Sequence, residues 1–183
     1  MNLYENCRLC PRNCSIDRTG GKIGFCGESS TIKAALASVH NWEEPPISGT
    51  KGSGTIFFTG CNLKCVFCQN HSISSEHSGK EISVERLSEI MLEQQARDVH
   101  NINLVTAVHF VPSVIKAVEK ARQNGLTIPI VYNSSGYEKA DTIKMLEGTV
   151  DIYLPDIKYF SSKLSAKYSS APDYFEYASA AVK

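Results

Sequence analysis

The run Gly60-Cys61-Asn62-Leu63-Lys64-Cys65-Val66-Phe67-Cys68-Gln69-Asn70-His71 places three cysteines at C-x3-C-x2-C spacing. It follows directly on Thr55-Ile56-Phe57-Phe58-Thr59, a stretch of strand formers bracketed by Gly54 and Gly60. Three thiols therefore sit on one short loop at the end of a strand. Thiolates packed this closely repel one another unless a cation neutralises them, so the loop reads as a metal or iron–sulfur site. Two chemistries fit. Zinc takes four ligands, and His71 would complete a Cys3His structural site. An iron–sulfur cluster on three cysteines leaves one iron open, which a catalytic centre needs and a structural one does not. Three buried, unligated cysteines are the bland alternative.

The other cysteines are as telling. Of seven in the chain, the remaining four, Cys7, Cys10, Cys14 and Cys26, lie within the first 26 residues, interleaved with Pro11, Gly20, Gly21, Gly24 and Gly27. An odd total in a chain read as cytoplasmic does not suggest a disulfide framework. Four thiols are a complete ligand set, and a stretch with so little apolar content suits a small module folded around zinc or a second iron–sulfur cluster.

A chain of 183 residues has enough length for one real core, burying roughly 70% of its unfolded surface. With 19 basic and 19 acidic residues the formal charge is zero, so nothing points to a nucleic-acid partner or a membrane surface. The apolar runs are too short to span a bilayer, and Met-Asn-Leu-Tyr-Glu-Asn is not a secretory leader. Cytoplasmic localisation is the expectation.

Downstream, strands and helices alternate. Ile32 to His40 reads as a strand leading to Glu43-Glu44-Pro45-Pro46, where two prolines should exclude regular structure and form a surface loop around a half-buried Trp42. A polar linker, residues 71 to 80, follows the cysteine loop. Ser83 caps a helix with Val84, Leu87, Ile90 and Met91 on one face, followed by strand Ile102 to Thr106. Ser113 starts a second helix that Asn124-Gly125 stops; strand Ile128 to Tyr132, helix Glu138 to Leu146 and strand Val150 to Leu154 complete the alternation. Such βαβ units make a parallel sheet, whose ligands gather at the C-terminal strand ends. Polar residues collect there: Thr106 and His109, Asn133-Ser134-Ser135-Gly136, and Asp156-Ile157-Lys158. His71, His77 and His100 read as solvated.

The cysteine loop, with Phe67 before its third cysteine, resembles the signature of the radical S-adenosylmethionine superfamily. The longer run Gly52 to Cys61 and the following Gln69-Asn70 are similar to glycyl-radical-enzyme activases, relatives of pyruvate formate-lyase activating enzyme. The resemblance covers residues 52 to 160. It implies a 4Fe-4S cluster on Cys61, Cys65 and Cys68, with S-adenosylmethionine bound at the open iron. It also implies a cofactor-binding rim of Asn133, Ser134, Asp156 and Lys158, to which Thr106 at the end of the second strand is added by its place. Asn133-Ser134-Ser135-Gly136 stands where activases carry Asp-Thr-Asn-Gly near the S-adenosylmethionine carboxylate and a monovalent cation. Lys158 matches the Lys of their Asp-(Ile/Leu)-Lys run. Their Gly-Gly-Glu after the second strand is replaced by Thr106-Ala107-Val108-His109, which leaves Thr106 or His109 to contact the amino group.

The fold expected is an α/β partial (β/α) barrel with parallel strands, residues 55–183, preceded by a cysteine-rich N-terminal module and lead-in, residues 1–54. The function implied is reductive cleavage of S-adenosylmethionine to a 5′-deoxyadenosyl radical that activates a glycyl radical enzyme. Flavodoxin or ferredoxin would be the electron donor. A radical enzyme acting on a small molecule or nucleic acid, and a zinc-stabilised non-catalytic interaction protein, are the alternatives. Strand signals stop after the fourth of about six, and a helix after Pro172 carrying Phe175, Ala178, Ala181 and Val182 runs to Lys183 without a stop, so the chain reads as C-terminally incomplete.

Overall fold

The computed structural model describes residues 2–183, and residues 2–31 run in turns and bends without helix or extended strand. Strand β1 (Ile32–His40) opens the sheet. The two prolines do not abolish structure after it but start a helical turn, α1 (Pro45–Ser48), since a proline's fixed φ suits a helix's first positions. The chain then returns as β2 (Ser53–Phe58), antiparallel to β1. Within the stretch read as a polar linker lies a short turn of helix, α2 (His71–Ser74). Strand β3 (Lys80–Ile82) follows it and pairs antiparallel with the other edge of β1.

From there the expected alternation holds. Helix α3 (Val84–Gln95) is capped by Ser83, whose hydroxyl accepts the Arg86 N–H at 3.1 Å. It is followed by β4 (Ile102–Val105), a 3₁₀ turn at Val108–Phe110, and α4 (Val111–Gln123). That helix begins two residues before Ser113, with Pro112 in its first turn. Next come β5 (Ile130–Ser134), α5 (Ala140–Lys144) and β6 (Ile152–Pro155). Both strands start two residues later than the pattern suggested. Pro129 precedes β5, and the Val150 N–H is taken by Leu146 O at 3.0 Å in the turn that ends α5. Two helices complete the chain. The sequence reading missed α6 (Ser162–Ser169), although Ser161 caps it; α7 (Tyr174–Val182) stands where the pattern after Pro172 placed it.

The sheet order is β3-β1-β2-β4-β5-β6. The four strands β2, β4, β5 and β6 are parallel, as their alternation with helices requires. The two antiparallel strands on the other flank make the sheet mixed, so it is an open α/β sheet and not a closed parallel barrel. Leu87, Met91, Val114, Val118 and Ala121 of α3 and α4 pack on Ile56, Phe58, Ile102, Leu104 and Ile130, and this core fixes where the parallel strands end.

The N-terminal residues have only a small apolar cluster, Tyr4, Cys7 and Leu9. Their other burial is against the sheet and its loops. The Tyr4 and Ser113 hydroxyls lie 2.9 Å apart, Thr142 Oγ1 donates to Leu9 O at 2.7 Å, and Lys139 Nζ donates to Arg8 O at 2.9 Å.

Candidate active site

Gly60 ends β2 with φ +76°, and a Cβ there would stand 2.6 Å from both Cys26 O and Glu28 Cγ. Only glycine allows that conformation and that approach. Beyond it the loop is pinned from outside. The Cys61 N–H donates to Cys26 O at 3.3 Å, and Asn62 Nδ2 donates to Tyr137 O at 2.5 Å. Arg12, between two of the N-terminal cysteines, donates to Asn62 O at 2.8 Å and Ser170 O at 2.6 Å with its guanidinium 3.8 Å over the Phe25 ring. The loop is thus clamped by residues 12, 26 and 28 of the N-terminal segment together with Tyr137.

The three thiols face a cleft of about 530 Å³. Cys61, Cys65 and Cys68 line it together with Thr106, Asn133, Ser134, Asp156 and Lys158, so the residues singled out at four separate strand ends share one space. Burial, with the neighbouring Cys65 and Cys68 adding to it, pushes the Cys61 thiol up to about 11. Hydrogen-bond donors surround the sulfurs: the Leu63 N–H lies 3.4 Å from Cys61 Sγ, Ser169 Oγ 2.9 Å from Cys65 Sγ, and Ser74 Oγ 3.2 Å from Cys68 Sγ.

Thr106 lies at φ +58°, a left-handed conformation that strains a β-branched residue by about 1 to 3 kcal/mol. Its N–H donates to Asn133 O at 2.9 Å, which holds the strained end of β4 against β5. Lys158 Nζ is paired with Asp156, and the Lys158 N–H donates to the buried Tyr174 hydroxyl at 2.9 Å. That hydroxyl in turn donates towards Ser135 O at 2.7 Å and Asp156 O at 3.0 Å, so Tyr174 locks the ends of β5 and β6 together. Ser134 Oγ accepts the Gly136 N–H at 3.2 Å.

His109 is not on the rim. It is buried beneath it, where Nε2 donates to Thr59 O at 2.7 Å and desolvation holds its pKa down to about 3. A neutral imidazole that fixes the last residue before the loop cannot also contact a ligand in the cleft. Trp42, expected to be half-buried, is 90% exposed at the cleft mouth. The adjacent Glu43 reaches inward from the supposed surface loop and accepts from Asn103 Nδ2 at 2.8 Å and Asn133 Nδ2 at 3.3 Å. Sequence reasoning gave Glu43 no site role, because its neighbours Pro45 and Pro46 marked the stretch as a surface loop.

The remaining histidines are engaged elsewhere. His77 pairs with Glu28, Nδ1 to Oε1 2.8 Å, and is not simply solvated. His71 sits beside Glu76 at the surface, 3.4 Å away. Buried Glu28 also accepts from Thr59 Oγ1 at 2.7 Å.

Among the described residues no three His, Cys, Asp or Glu side chains converge as a set that could hold a metal ion. Zinc requires that convergence, with its ligands at about 2.0 to 2.3 Å, so neither Cys61/Cys65/Cys68/His71 nor the N-terminal four form a ready zinc site. An iron–sulfur cluster makes a different demand, because each cysteine takes a separate iron. Three thiols lining one cleft do not conflict with that demand.

The N-terminal thiols are also near neighbours. Burial pushes Cys10 up to about 12, with Cys26, Cys14 and Cys7 each adding to the shift. Burial raises Cys26 as well, against the pull of nearby Arg18.

Comparison with known proteins agrees with the arrangement around Cys61. An uncharacterized protein of Methanocaldococcus jannaschii, MJ0674, is 31% identical over 96% of this chain and 52% of its own length. A second from the same organism, MJ0808, is 27% identical over 83% of this chain and 49% of its own. The chain thus spans about half the length of the curated relatives it matches. The family model described as Radical SAM superfamily matches residues 55–183, from β2 and the cysteine loop through α7. This chain belongs to the radical S-adenosylmethionine superfamily.

Proposed function

We propose that this chain is an iron–sulfur enzyme that cleaves S-adenosylmethionine reductively and uses the resulting radical to take hydrogen from a glycyl radical enzyme. The observation that carries the reading is the gathering of Cys61, Cys65 and Cys68 with residues of three further strand ends around one cleft. Cys61, Cys65 and Cys68 would hold three irons of a 4Fe-4S cluster, leaving the fourth for S-adenosylmethionine. When bound, that cluster delivers one electron to the sulfonium, which breaks the bond from sulfur to C5′ and leaves methionine and a 5′-deoxyadenosyl radical.

The protein's own residues bind and orient. Lys158, beside Asp156, is the cation on the rim that suits the methionine carboxylate, a charge-assisted contact. Thr106 offers a strained strand end, and Asn133 an amide already tied to Glu43, for the amino group and ribose. A protein substrate is supported by the open mouth, where Phe67 and Trp42 stand exposed in the cleft wall. The electron would come from a carrier of the flavodoxin or ferredoxin class. One feature favours a second reading, a small-molecule substrate: the Glu43 carboxylate inside the cleft suits an amine or amide donor.

Electron paramagnetic resonance of the anaerobically loaded, reduced chain tests the reading. S-adenosylmethionine should change the signal, because it binds at an iron that no cysteine holds. An unchanged spectrum at saturating S-adenosylmethionine would sink the proposal.

A further inference from the structure

Arg18 is a buried cation without a carboxylate. Its side chain is fully enclosed, and its guanidinium donates to three backbone carbonyls: Glu28 O at 3.1 Å, His109 O at 2.8 Å and Ser29 O at 2.5 Å. It also lies over the Tyr4 and Phe110 rings, 5.0 and 5.9 Å from their centroids, has Cys7 Sγ 3.5 Å from Nη1, and is close enough to Cys26 to act on that thiol. The ion pairs among the described residues do not include it. Buried charges are retained where an opposite charge meets them, and neutral carbonyls do not supply one. Apart from the Tyr4 phenol, whose pKa burial raises, the groups beside Arg18 that can become anionic are the thiols of Cys7 and Cys26.

The four cysteines are arranged to share a ligand. Asn13 and Ser15, on either side of Cys14, both take positive φ, 46° and 53°, and the Phe25 N–H donates to Cys14 Sγ at 3.3 Å. A Cβ at Gly24 would lie 3.4 Å from the Cys14 sulfur and 3.6 Å from the Cys26 sulfur, so the missing side chain leaves the space between them open. The four do not converge on a single point. An iron–sulfur cluster does not need such a point, because each sulfur takes its own iron.

We infer that Cys7, Cys10, Cys14 and Cys26 hold a second iron–sulfur cluster, and that Arg18 is its positioning residue, neutralising the net negative charge of four thiolates around the cluster core. The inference does not rest on the S-adenosylmethionine reading, and the superfamily match begins only at residue 55. Arg18 also ties this centre to the catalytic side, since the backbone it grips at His109 belongs to the residue that fixes Thr59.

The test uses the full chain with Cys61, Cys65 and Cys68 all changed to Ala, so that failure here is separable from failure of the proposed function. After anaerobic loading with ferrous iron and sulfide and then desalting, this variant should retain iron and sulfide in equal amounts with visible charge-transfer absorption. No iron, or zinc bound without sulfide, overturns the cluster. If circular dichroism shows the variant unfolded, wild type against a folded Cys10→Ser/Cys14→Ser variant decides: one cluster's worth of iron lost with those two cysteines supports the inference and an unchanged count overturns it. On the folded variant, Arg18→Gln should shift the reduction potential to more negative values and speed iron loss to a chelator by about tenfold. Arg18→Lys should recover most of both. A potential unmoved by Arg18→Gln removes Arg18 from the centre and leaves it a purely structural tie.

Discussion

The two cysteine sets use the same residue in opposite settings. Cys61, Cys65 and Cys68 stand at a strand's end on the wall of an open cleft, flanked by Ser169 and Ser74 hydroxyls and by Val66 and Phe67, 73% and 56% exposed. Cys7, Cys10 and Cys26 are buried, with a guanidinium enclosed beside them, in a segment of turns and bends that carries no strand of its own. A parallel sheet presents its first set to solvent because every strand end opens on one rim. The second set has no such scaffold, so its environment is built from turns, glycines and one buried charge. The contrast teaches that accessibility, and not thiol count, separates a centre made for a substrate from one that is sealed.

The seam between the two regions is where the comparison breaks most easily. Gly60→Ala would place a Cβ 2.6 Å from Cys26 O at a positive φ, so it should cost about 2 to 4 kcal/mol in urea denaturation. A cost below about 1 kcal/mol would show that the sets are not pressed together as described. Stability should also depend on pH through a carboxyl that belongs to neither set. Buried Glu138, which accepts from the Tyr132 hydroxyl at 3.0 Å, has its pKa raised by desolvation to about 7. The folded chain then keeps a proton that the unfolded chain releases near pH 4.5. Stability should fall as pH rises from about 4.5 to 7 and level off above. Glu138→Gln should remove that fall, a gain of at most about 3 kcal/mol at pH 8 and little at pH 4, read by thermal melts at each pH.

On the open side, Lys158→Ala should weaken S-adenosylmethionine binding about tenfold by calorimetry, the loss of one charge-assisted contact already shared with Asp156. The smallest effect is expected at His71, exposed and paired only with Glu76. His71→Ala should leave iron content and visible absorption unchanged, whereas loss of metal would revive a zinc site.

How much of this was legible in the sequence follows from what each signal depends on. The four parallel strands were readable because apolar, β-branched runs between glycines and prolines are local signals. Thr106, Asn133, Asp156 and Lys158 followed by topology alone, since residues after parallel strands meet on one rim. Arg18 was not readable. An arginine in a run rich in turn formers looks solvated, and its burial arises only when carbonyls from residues 28, 29 and 109 close around it. Glu43 hid for the same reason: it stands among prolines, and only the fold carries it to Asn103 and Asn133, on strands some 60 and 90 positions away. Tyr174 was overlooked because the stripe of Phe175, Ala178, Ala181 and Val182 drew the reading of α7. The structure buries Tyr174 and Ala178 and leaves Val182 exposed. On the antiparallel flank β1 was readable as a strand but not its direction, which a strand's sequence does not state, and the three residues of β3 lay where the stretch read as a linker meets the helix cap after it.

The claim at the centre is that three thiols on one strand end make an iron centre with a place for S-adenosylmethionine. Anaerobic incubation of the loaded, reduced chain with S-adenosylmethionine, followed by chromatography for 5′-deoxyadenosine, measures it most directly. The account predicts 5′-deoxyadenosine from the wild-type chain and none above background from Cys65→Ala. Equal product from both would contradict it.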